Sequence, residues 1–315
     1  MISNPIVSSS NSTTEIPMQK NQIAEAFKKL QDRITKSIEN TDGKAKFTEN
    51  NWKREGGGGG RSRVIQGGNI IEKGGVNFSA VHGQLPEKIK QKLQLQEDEF
   101  FATGVSLIMH PENPHVPIIH MNVRYFELPD GSYWFGGGID LTPIYIDRKQ
   151  AKYFHQKLKE VCDKYDAEYY SNFKAWADDY FYLPFRKETR GIGGIFFDHL
   201  NGANGQSKKQ LFDFVMEIGN LFAPLYCDIM EQNSSRNYSA QEKDWQLHRR
   251  GRYVEFNLVM DKGTKFGLDT NGRTESILVS MPPEVKWTYE YPIEKASKEE
   301  QTLHLLKKEI DWISQ

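Results

Sequence analysis

Three polar side chains of different chemistry stand at alternate positions in one short, otherwise apolar stretch of the chain. His120, Asn122 and Arg124 alternate with apolar or aromatic residues between positions 119 and 125. Successive side chains of a β-strand point to opposite faces, so these three would project from the same face of one strand. An imidazole, an amide and a guanidinium aimed in one direction are typical of a polar binding or catalytic site. The alternative is a solvent-exposed outer face, which Lys, Glu and Thr usually build.

Other candidate groups lie close by in the sequence. Ser106 and His110 share one face of the preceding predicted strand, and they would join the same patch if the two strands pair in the right register. His110 and His120 could bind a metal or be hydrogen-bonded structural groups. Asp198 follows an apolar strand, where it could cap a turn or act as a buried acid or base.

Arginines are concentrated beside apolar segments. Arg186 and Arg190 precede a glycine-rich strand, three more arginines occupy 249–252, and Arg273 lies in a glycine turn. Planar guanidinium groups bind carboxylates and phosphates through paired hydrogen bonds, so several together could hold a polyanionic ligand. The alternative is pairing with Asp and Glu within the protein, which we favour for any single arginine.

The elements that position these residues indicate an α+β protein. Strands are predicted near 76–81, 104–109, 118–127, 132–141, 193–197, 253–260 and 276–281, and helices near 23–38, 151–165, 169–182, 211–230 and 303–313. The connectors between the strands ending near 109, 127 and 141 are too short for a helical crossover, so these strands should pair antiparallel. We therefore predict a large, mainly antiparallel sheet flanked by helices on both sides. The five glycines at 56–60 fail the phosphate-loop pattern and predict a mobile loop or lid.

Composition narrows the function classes. The net charge of −1 argues against a general nucleic-acid partner, which would favour a basic excess. The two cysteines form neither a disulfide framework nor a zinc pattern, and no apolar run reaches the length of a membrane span. Residues 1–20 predict a disordered polar tail and 21–315 a single domain. A cytoplasmic location is expected.

Several long sequence motifs indicate a resemblance to a known family. These motifs lie at 104–111, 116–124, 134–143, 190–198, 249–258 and 272–278. They include Trp-Phe-Gly-Gly-Gly-Ile-Asp-Leu-Thr-Pro and Arg-Gly-Ile-Gly-Gly-Ile-Phe-Phe-Asp. They closely resemble oxygen-dependent coproporphyrinogen III oxidase, over most of the chain. The resemblance implies a flat antiparallel sheet between helical layers, a homodimer and a role in haem biosynthesis. The implied reaction is oxidative decarboxylation of two propionates of coproporphyrinogen III to vinyl groups, which gives protoporphyrinogen IX with O2 as oxidant and no organic cofactor.

The resemblance also implies roles for individual residues. His120 corresponds to the proton donor and Asp198 to an aspartate facing the pyrrole nitrogens. The implied substrate contacts are Ser106, Asn122, Val123, Arg124, Asn271, Gly272 and Arg273. The segment from about 253 to 287 would contribute to the dimer.

A divalent metal on four histidines is implied for bacterial members of the family. Three of these positions are His110, His120 and His155, but Phe185 occupies the fourth, and a phenyl ring cannot bind a metal. We therefore favour a metal-free enzyme. Two alternatives stay open, namely a non-catalytic tetrapyrrole carrier and a non-haem iron oxygenase built on His110, His120 and a carboxylate.

Overall fold

An antiparallel sheet organises the part of the chain that the computed structural model describes, residues 18–85, 87, 90–91, 96–269 and 272–314. The strands are β1 (Thr48–Lys53), β2 (Gly58–Gln66), β3 (Ile71–Gln84), β4 (Glu99–Pro111), β5 (Ile118–Glu127), β6 (Tyr133–Thr142), β7 (Tyr182–Leu183), β8 (Glu188–Thr189) and β9 (Gly194–Leu200). Seven of them form one sheet in the order β1-β2-β3-β4-β5-β6-β9, and β7 pairs with β8. Most of the predicted tail, residues 1–17, and the predicted substrate contact Asn271 lie outside the described residues.

Helices lie against both faces of this sheet. They are α1 (Lys20–Asp42), α2 (Arg148–Cys162), α3 (Tyr169–Tyr180), α4 (Lys208–Asn233), α5 (Ala240–Glu255), α6 (Lys262–Asp269), α7 (Thr274–Leu278) and α8 (Lys298–Leu305), and a π-helical turn covers Phe256–Met260. Helices α1 to α4 contact one face and enclose the main core. On the other face, Trp245 and Tyr253 of α5 pack with Ile108 and Ile118 in a smaller core. The predicted α+β class with a mainly antiparallel sheet is confirmed.

The sequence pattern explains why the central strands present two different faces. Alternate residues of β5, from Ile119 to Tyr125, are buried in the main core, whereas His120, Asn122 and Arg124 are only half-buried on the other face. Helix α1 supplies the complementary apolar stripe, with Ile23, Phe27, Leu30, Ile34 and Ile38 all buried. The period of two in the strand thus separates the core side chains from the polar ones.

Two predicted strands are wrong. The stretch 253–260 is the end of α5 followed by the π-helical turn, and 276–281 begins within α7 and continues past its end at Leu278. A capping box between Ser239 and Glu242 begins α5. Tyr253 and Phe256 stand three residues apart and pack their rings on Arg190, a spacing that a helix provides and a strand does not. Tertiary contacts therefore decide the conformation of a segment whose composition favours a strand.

Two further expectations need correction. Gly58 to Gly60 belong to β2 rather than to a loop, whereas Gly56 and Gly57 lie in the turn before it. A Cβ on Gly60 would overlap the Trp52 ring of the neighbouring strand. The run therefore permits a close strand pairing. The predicted closing helix over 303–313 ends at Leu305, and Glu309 then adopts a positive φ of 66° that a helix excludes.

Candidate active site

The polar face of the sheet carries an ordered row of residues, one from each of five strands. The register places Asn77 opposite Ser106, Ser106 opposite Asn122, Asn122 opposite Gly138, and Gly138 opposite Phe196. A neighbouring row joins Ile108, His120 and Asp140. We call the set Asn77, Ser106, His120, Asn122, Arg124, Gly136, Gly138, Asp140 and Asp198 the polar floor. The predicted residues Ser106, His120, Asn122 and Arg124 are thus brought together.

His120 is oriented by a carboxylate at the adjacent position of β6. Its Nδ1 lies 3.0 Å from Oδ1 of Asp140, which is buried to 2% exposure. Burial raises the pKa of Asp140, but the Arg190 charge and the His120 hydrogen bond outweigh burial and hold the pKa below its ordinary value of 3.8. An ionised carboxylate only accepts hydrogen bonds, so Nδ1 carries a proton and Nε2 is the nitrogen left for a ligand.

Arg190 neutralises Asp140 through a buried ion pair. Its Nη2 donates to Oδ2 of Asp140 at 2.6 Å, and its Nη1 donates to Oδ1 of Asn257 at 2.9 Å. The guanidinium carbon lies 4.4 Å from the ring centre of Phe181 and 4.6 Å from that of Phe256. Such enclosure removes water from the pair, so the charge of each partner depends on the other.

A second ion pair lies at the other end of the polar floor. Nη2 of Arg124 donates to Oδ2 of Asp198 at 2.8 Å, and Nη1 donates to Oδ1 of Asn122 at 3.0 Å. Gly136 makes room for this pair, since a Cβ there would overlap Asp198 and lie 2.7 Å from Nε of Arg124. Both charged side chains keep access to solvent. A carboxylated ligand could therefore replace Asp198 as the partner of Arg124.

Aromatic side chains form a wall beside Arg124. The ring of Phe196 stacks on Tyr180 with centres 4.3 Å apart and meets Trp176 edge to face at 5.2 Å. The Arg124 guanidinium lies 5.9 Å from the Phe196 ring. Trp176 is 42% exposed, so part of this wall faces solvent. An apolar wall next to a carboxylate-binding group suits a ligand that is apolar at its centre and anionic at its edge.

Most of the clustered arginines pair with carboxylates within the protein, which is the alternative predicted for any single arginine. Arg186 binds Glu255 through two hydrogen bonds, Arg249 binds Glu188, and Arg250 binds Glu72. Arg249 and Arg250 are buried. These arginines fix helix α5 to its surroundings and leave Arg124 and Arg273 as the candidates for a ligand.

The remaining predicted contacts have different positions. Val123 is fully buried in the main core, so its side chain points away from the polar floor. Arg273 precedes α7, and its Nη1 donates to Oγ of Ser276 at 3.0 Å. Gly272 is the residue before it, and its backbone N–H donates to the carbonyl of Gly267. Arg273 and Gly272 thus stand on a segment that packs on the polar face of the sheet, on the side away from the main core.

The histidines of the implied metal site do not form a cluster. His155 is buried with Nδ1 3.1 Å from the Tyr170 hydroxyl and Nε2 3.0 Å from the Ile192 carbonyl, so both nitrogens are used. Burial lowers the pKa of His155 to about 3. Nε2 of His110 donates to the Ser280 carbonyl, and Phe185 is 54% exposed. Within the described ranges no three His, Cys, Asp or Glu side chains are grouped to hold a metal ion. These residues do not fit the implied metal.

Asp140 and Asn77 are floor residues that the sequence reasoning missed as site members. A signal for Asp140 exists, because Gly136, Gly138 and Asp140 alternate along β6 as His120, Asn122 and Arg124 do along β5. Pairing the two strands through their short connector would have aligned the two alternations. Asn77 gave no comparable signal, since the register of β3 depends on distant contacts.

The structure is that of an α+β protein whose antiparallel sheet brings together a carboxylate-oriented histidine, a half-buried arginine and an aromatic wall. The chain belongs to the coproporphyrinogen III oxidase family, whose model matches residues 22–312. It is 46% identical over 309 residues to the oxygen-dependent coproporphyrinogen-III oxidase of Prochlorococcus marinus strain MIT 9312, with 90% of each chain covered. The corresponding protein of strain NATL1A is 44% identical, with 98% of this chain and 96% of the relative covered. The predicted family is confirmed.

Proposed function

We propose that this protein catalyses the oxygen-dependent conversion of coproporphyrinogen III to protoporphyrinogen IX, a step of haem biosynthesis. The observation that carries the proposal is the pairing of His120 with the ionised Asp140 on a floor that also presents Arg124. The family membership supports the choice of substrate and of O2 as oxidant.

The dimensions of the polar floor suit a tetracarboxylate macrocycle. Arg124 stands on β5, whereas the partner of Arg273, Ser276, is held above β2 and β3 by Ser62 and Asn77. Neighbouring strands are about 4.8 Å apart, so Ser276 stands roughly 10–14 Å from β5 across the sheet. Carboxylates on opposite edges of one macrocycle could reach both arginines, while its apolar centre lies beside Phe196.

The chemistry requires orientation and proton transfer more than a redox group. Each propionate that becomes a vinyl group loses carbon dioxide, one proton and two electrons, and O2 accepts the electrons. We assign the proton exchange to Nε2 of His120, because Asp140 holds Nδ1 protonated and stabilises the imidazolium. Arg124 and Arg273 would hold propionates in place. The implied metal enters no step here.

A homodimer is part of the proposal. Large apolar side chains stay exposed on the segment that the resemblance assigns to dimerisation, namely Leu258, Val259, Leu268 and Trp287. Burying them against a second copy would remove apolar surface from water. Light scattering should give a dimer for the wild type and a monomer for the double variant Leu258→Asp/Val259→Asp. Tyr238→Ser, a change at an exposed aromatic elsewhere, should stay dimeric, and a monomeric wild type would rule the dimer out.

A cytoplasmic location is proposed from the thiols. Cys162 and Cys227 are unpaired, and burial raises the pKa of the Cys162 thiol to about 12, which keeps it unreactive. Unpaired cysteines are typical of reducing compartments. None of the helices within the described ranges is long and apolar enough to cross a membrane.

The test is conversion of coproporphyrinogen III followed by porphyrin fluorescence, with and without O2, after exhaustive chelation. We expect oxygen-dependent product from the wild type and from His304→Ala, which alters an exposed histidine of α8. His120→Ala should bind substrate but lose turnover. Tight binding with no turnover by the wild type would favour a tetrapyrrole carrier. Activity that requires added iron would favour the non-haem iron oxygenase.

A further inference from the structure

The segment 272–282, which we call the strap, crosses the polar face above β2, β3 and β4. It contains Gly272, Arg273 and α7. Val279 of the strap seats on Gly75, where a Cβ would lie only 2.7 Å from Cγ2 of Val279. The sheet therefore has a place shaped for this segment, in the row of Ile108, His120 and Asp140 and two strands from His120.

Three side chains from two neighbouring strands hold the strap by its backbone. Nζ of Lys73 donates to the carbonyl of Met281 at 2.7 Å, and Nδ2 of Asn77 donates to the carbonyl of Ser276 at 2.7 Å. Nε2 of His110 lies 2.8 Å from the carbonyl of Ser280. Because a carbonyl only accepts, this nitrogen of His110 is protonated and acts as the donor.

These donors lie on the same face as the polar floor and are adjacent in the sheet. The register places Lys73 opposite His110, next to the last residue of β4. His110 is fully buried, and its ring meets Tyr253 edge to face at 5.1 Å. Its Nε2 is committed to the strap, and the packing against Tyr253 fixes the ring in that orientation. His110 is therefore a rigid support.

The strap in turn fixes Arg273. Oγ of Ser276 accepts a hydrogen bond from Nη1 of Arg273 at 3.0 Å, and it also lies 2.9 Å from Oγ of Ser62 on β2. The same residue accepts the Asn77 hydrogen bond through its carbonyl. The guanidinium is thus placed relative to the sheet through Ser276, and the position of Ser276 depends on where the strap is anchored.

We propose that His110 and Lys73 are positioning residues that anchor the strap so that Arg273 can bind a carboxylate of the substrate, and that His110 is not a metal ligand. The inference rests on the proposed function only for the identity of the carboxylate. Loss of either donor removes one anchor of the strap and lets Arg273 occupy a wider range of orientations. Binding weakens, whereas the His120–Asp140 pair is untouched and turnover of bound substrate is retained.

The test compares donor-keeping and donor-removing variants. The side-chain amide of Gln can replace Nε2 of a histidine, so His110→Gln should keep the anchor, and His110→Leu should remove it. Lys73→Met removes the second anchor and involves no histidine. The matched control is His155→Gln, because His155 is equally buried and also bonded to a backbone carbonyl, but that carbonyl belongs to Ile192 outside the strap.

Three readouts are measured. The Kd for coproporphyrin III, followed by fluorescence, should rise about tenfold or more in His110→Leu and Lys73→Met and change less than about threefold in His110→Gln and His155→Gln. Hydrogen exchange of residues 272–282 should accelerate in the first two variants only. In steady-state assays KM should rise with kcat nearly unchanged. In an Arg273→Ala background, His110→Leu should add no further loss of affinity, since it acts through Arg273.

Two results would overturn the inference. The first is equal affinity and equal strap exchange in all variants, which would reduce His110 and Lys73 to packing roles. The second is loss of a bound divalent metal and of activity in both His110→Gln and His155→Gln, with Lys73→Met normal, which would restore the metal site. Affinity and exchange are measured without turnover, so they decide the inference even if the wild type fails to convert coproporphyrinogen III.

Discussion

Replacing Asp140 by Asn tests the orientation of His120 most directly. The variant keeps the size of the side chain but removes the charge that Arg190 neutralises at 2.6 Å. Breaking a buried ion pair by removing one partner costs about 3–5 kcal/mol. Asn keeps both hydrogen-bonding positions, and Arg190 keeps Asn257 as a partner, so we expect a loss near the lower end, about 3 kcal/mol of unfolding free energy.

The effect on turnover should be larger than the effect on binding. The side-chain amide that Asp140→Asn introduces can donate to Nδ1 of His120, which would leave the proton on Nε2 and favour the opposite tautomer. A wrong tautomer of a catalytic histidine lowers kcat by up to about ten-thousandfold, and we expect at least a hundredfold here. The Kd for coproporphyrin III should change little, because Arg124 and Arg273 are unaffected.

The pH dependence gives an independent check on stability. The pKa of Asp140 in the folded protein is below 3.8, so its ionised form contributes stability above that pH and loses the contribution as the pH falls through the folded value. The free energies of unfolding in urea of the wild type and of Asp140→Asn should therefore differ at pH 7 and converge at a pH well below 3.8.

The matched control is Asp178→Asn. Asp178 is also buried, at 6% exposure, and pairs with Lys174 at 2.6 Å, but it lies on α3 away from the polar floor. This variant should lose stability and keep kcat. A kcat for Asp140→Asn within threefold of the wild type would refute the tautomer argument, and an equal fall in kcat for both variants would attribute the effect to destabilisation alone.

Three further predictions concern the same floor. His120→Ala should lower kcat at least a hundredfold. Its Tm should stay close to that of the wild type, because the side chain is partly exposed and fills no core volume. A large fall in Tm would instead identify a structural histidine. Gly136→Ala should separate Arg124 from Asp198, destabilise the protein by about 1–3 kcal/mol and raise KM. The control Gly131→Ala, at a turn with open space around it, should leave KM unchanged. A normal KM for Gly136→Ala would show that this ion pair does not shape the site. Chelation should leave turnover unchanged, as followed by porphyrin fluorescence with metal content measured in parallel, and recovery only after adding a divalent ion would contradict it.

The alternation of β5 could be predicted because it is a local property of a strand. The three side chains of one face follow from a period of two, and the apolar partners at Ile119 and Met121 fix which face is buried. The antiparallel pairing of β4 and β5 also followed from a short connector. The sequence motifs of the family predicted the class of protein, and the family is confirmed.

The partners of these side chains could not be predicted in the same way. Asp140 meets His120 only after β6 is aligned, and Arg190 reaches Asp140 across 50 positions of sequence. The conformation of 253–260 is set by Arg190, a residue more than 60 positions earlier, rather than by its own composition. The roles of the predicted site residues stay predictions that the experiments above address, and the single domain over 21–315 stays a prediction.

The strap connects parts of the chain that are far apart in sequence. Its bonds to Lys73, Asn77 and His110 span 208, 199 and 170 positions, whereas consecutive strands of the floor from β3 to β6 are joined by much shorter connections. Closing a long loop costs more chain entropy and slows its formation. We expect the floor to fold first and the strap to dock last, so pulsed hydrogen exchange during refolding should protect β4 to β6 before residues 272–282. A folding intermediate would then already hold His120 in place while lacking Arg273, and the ability to retain substrate would be the last property that the nascent protein acquires.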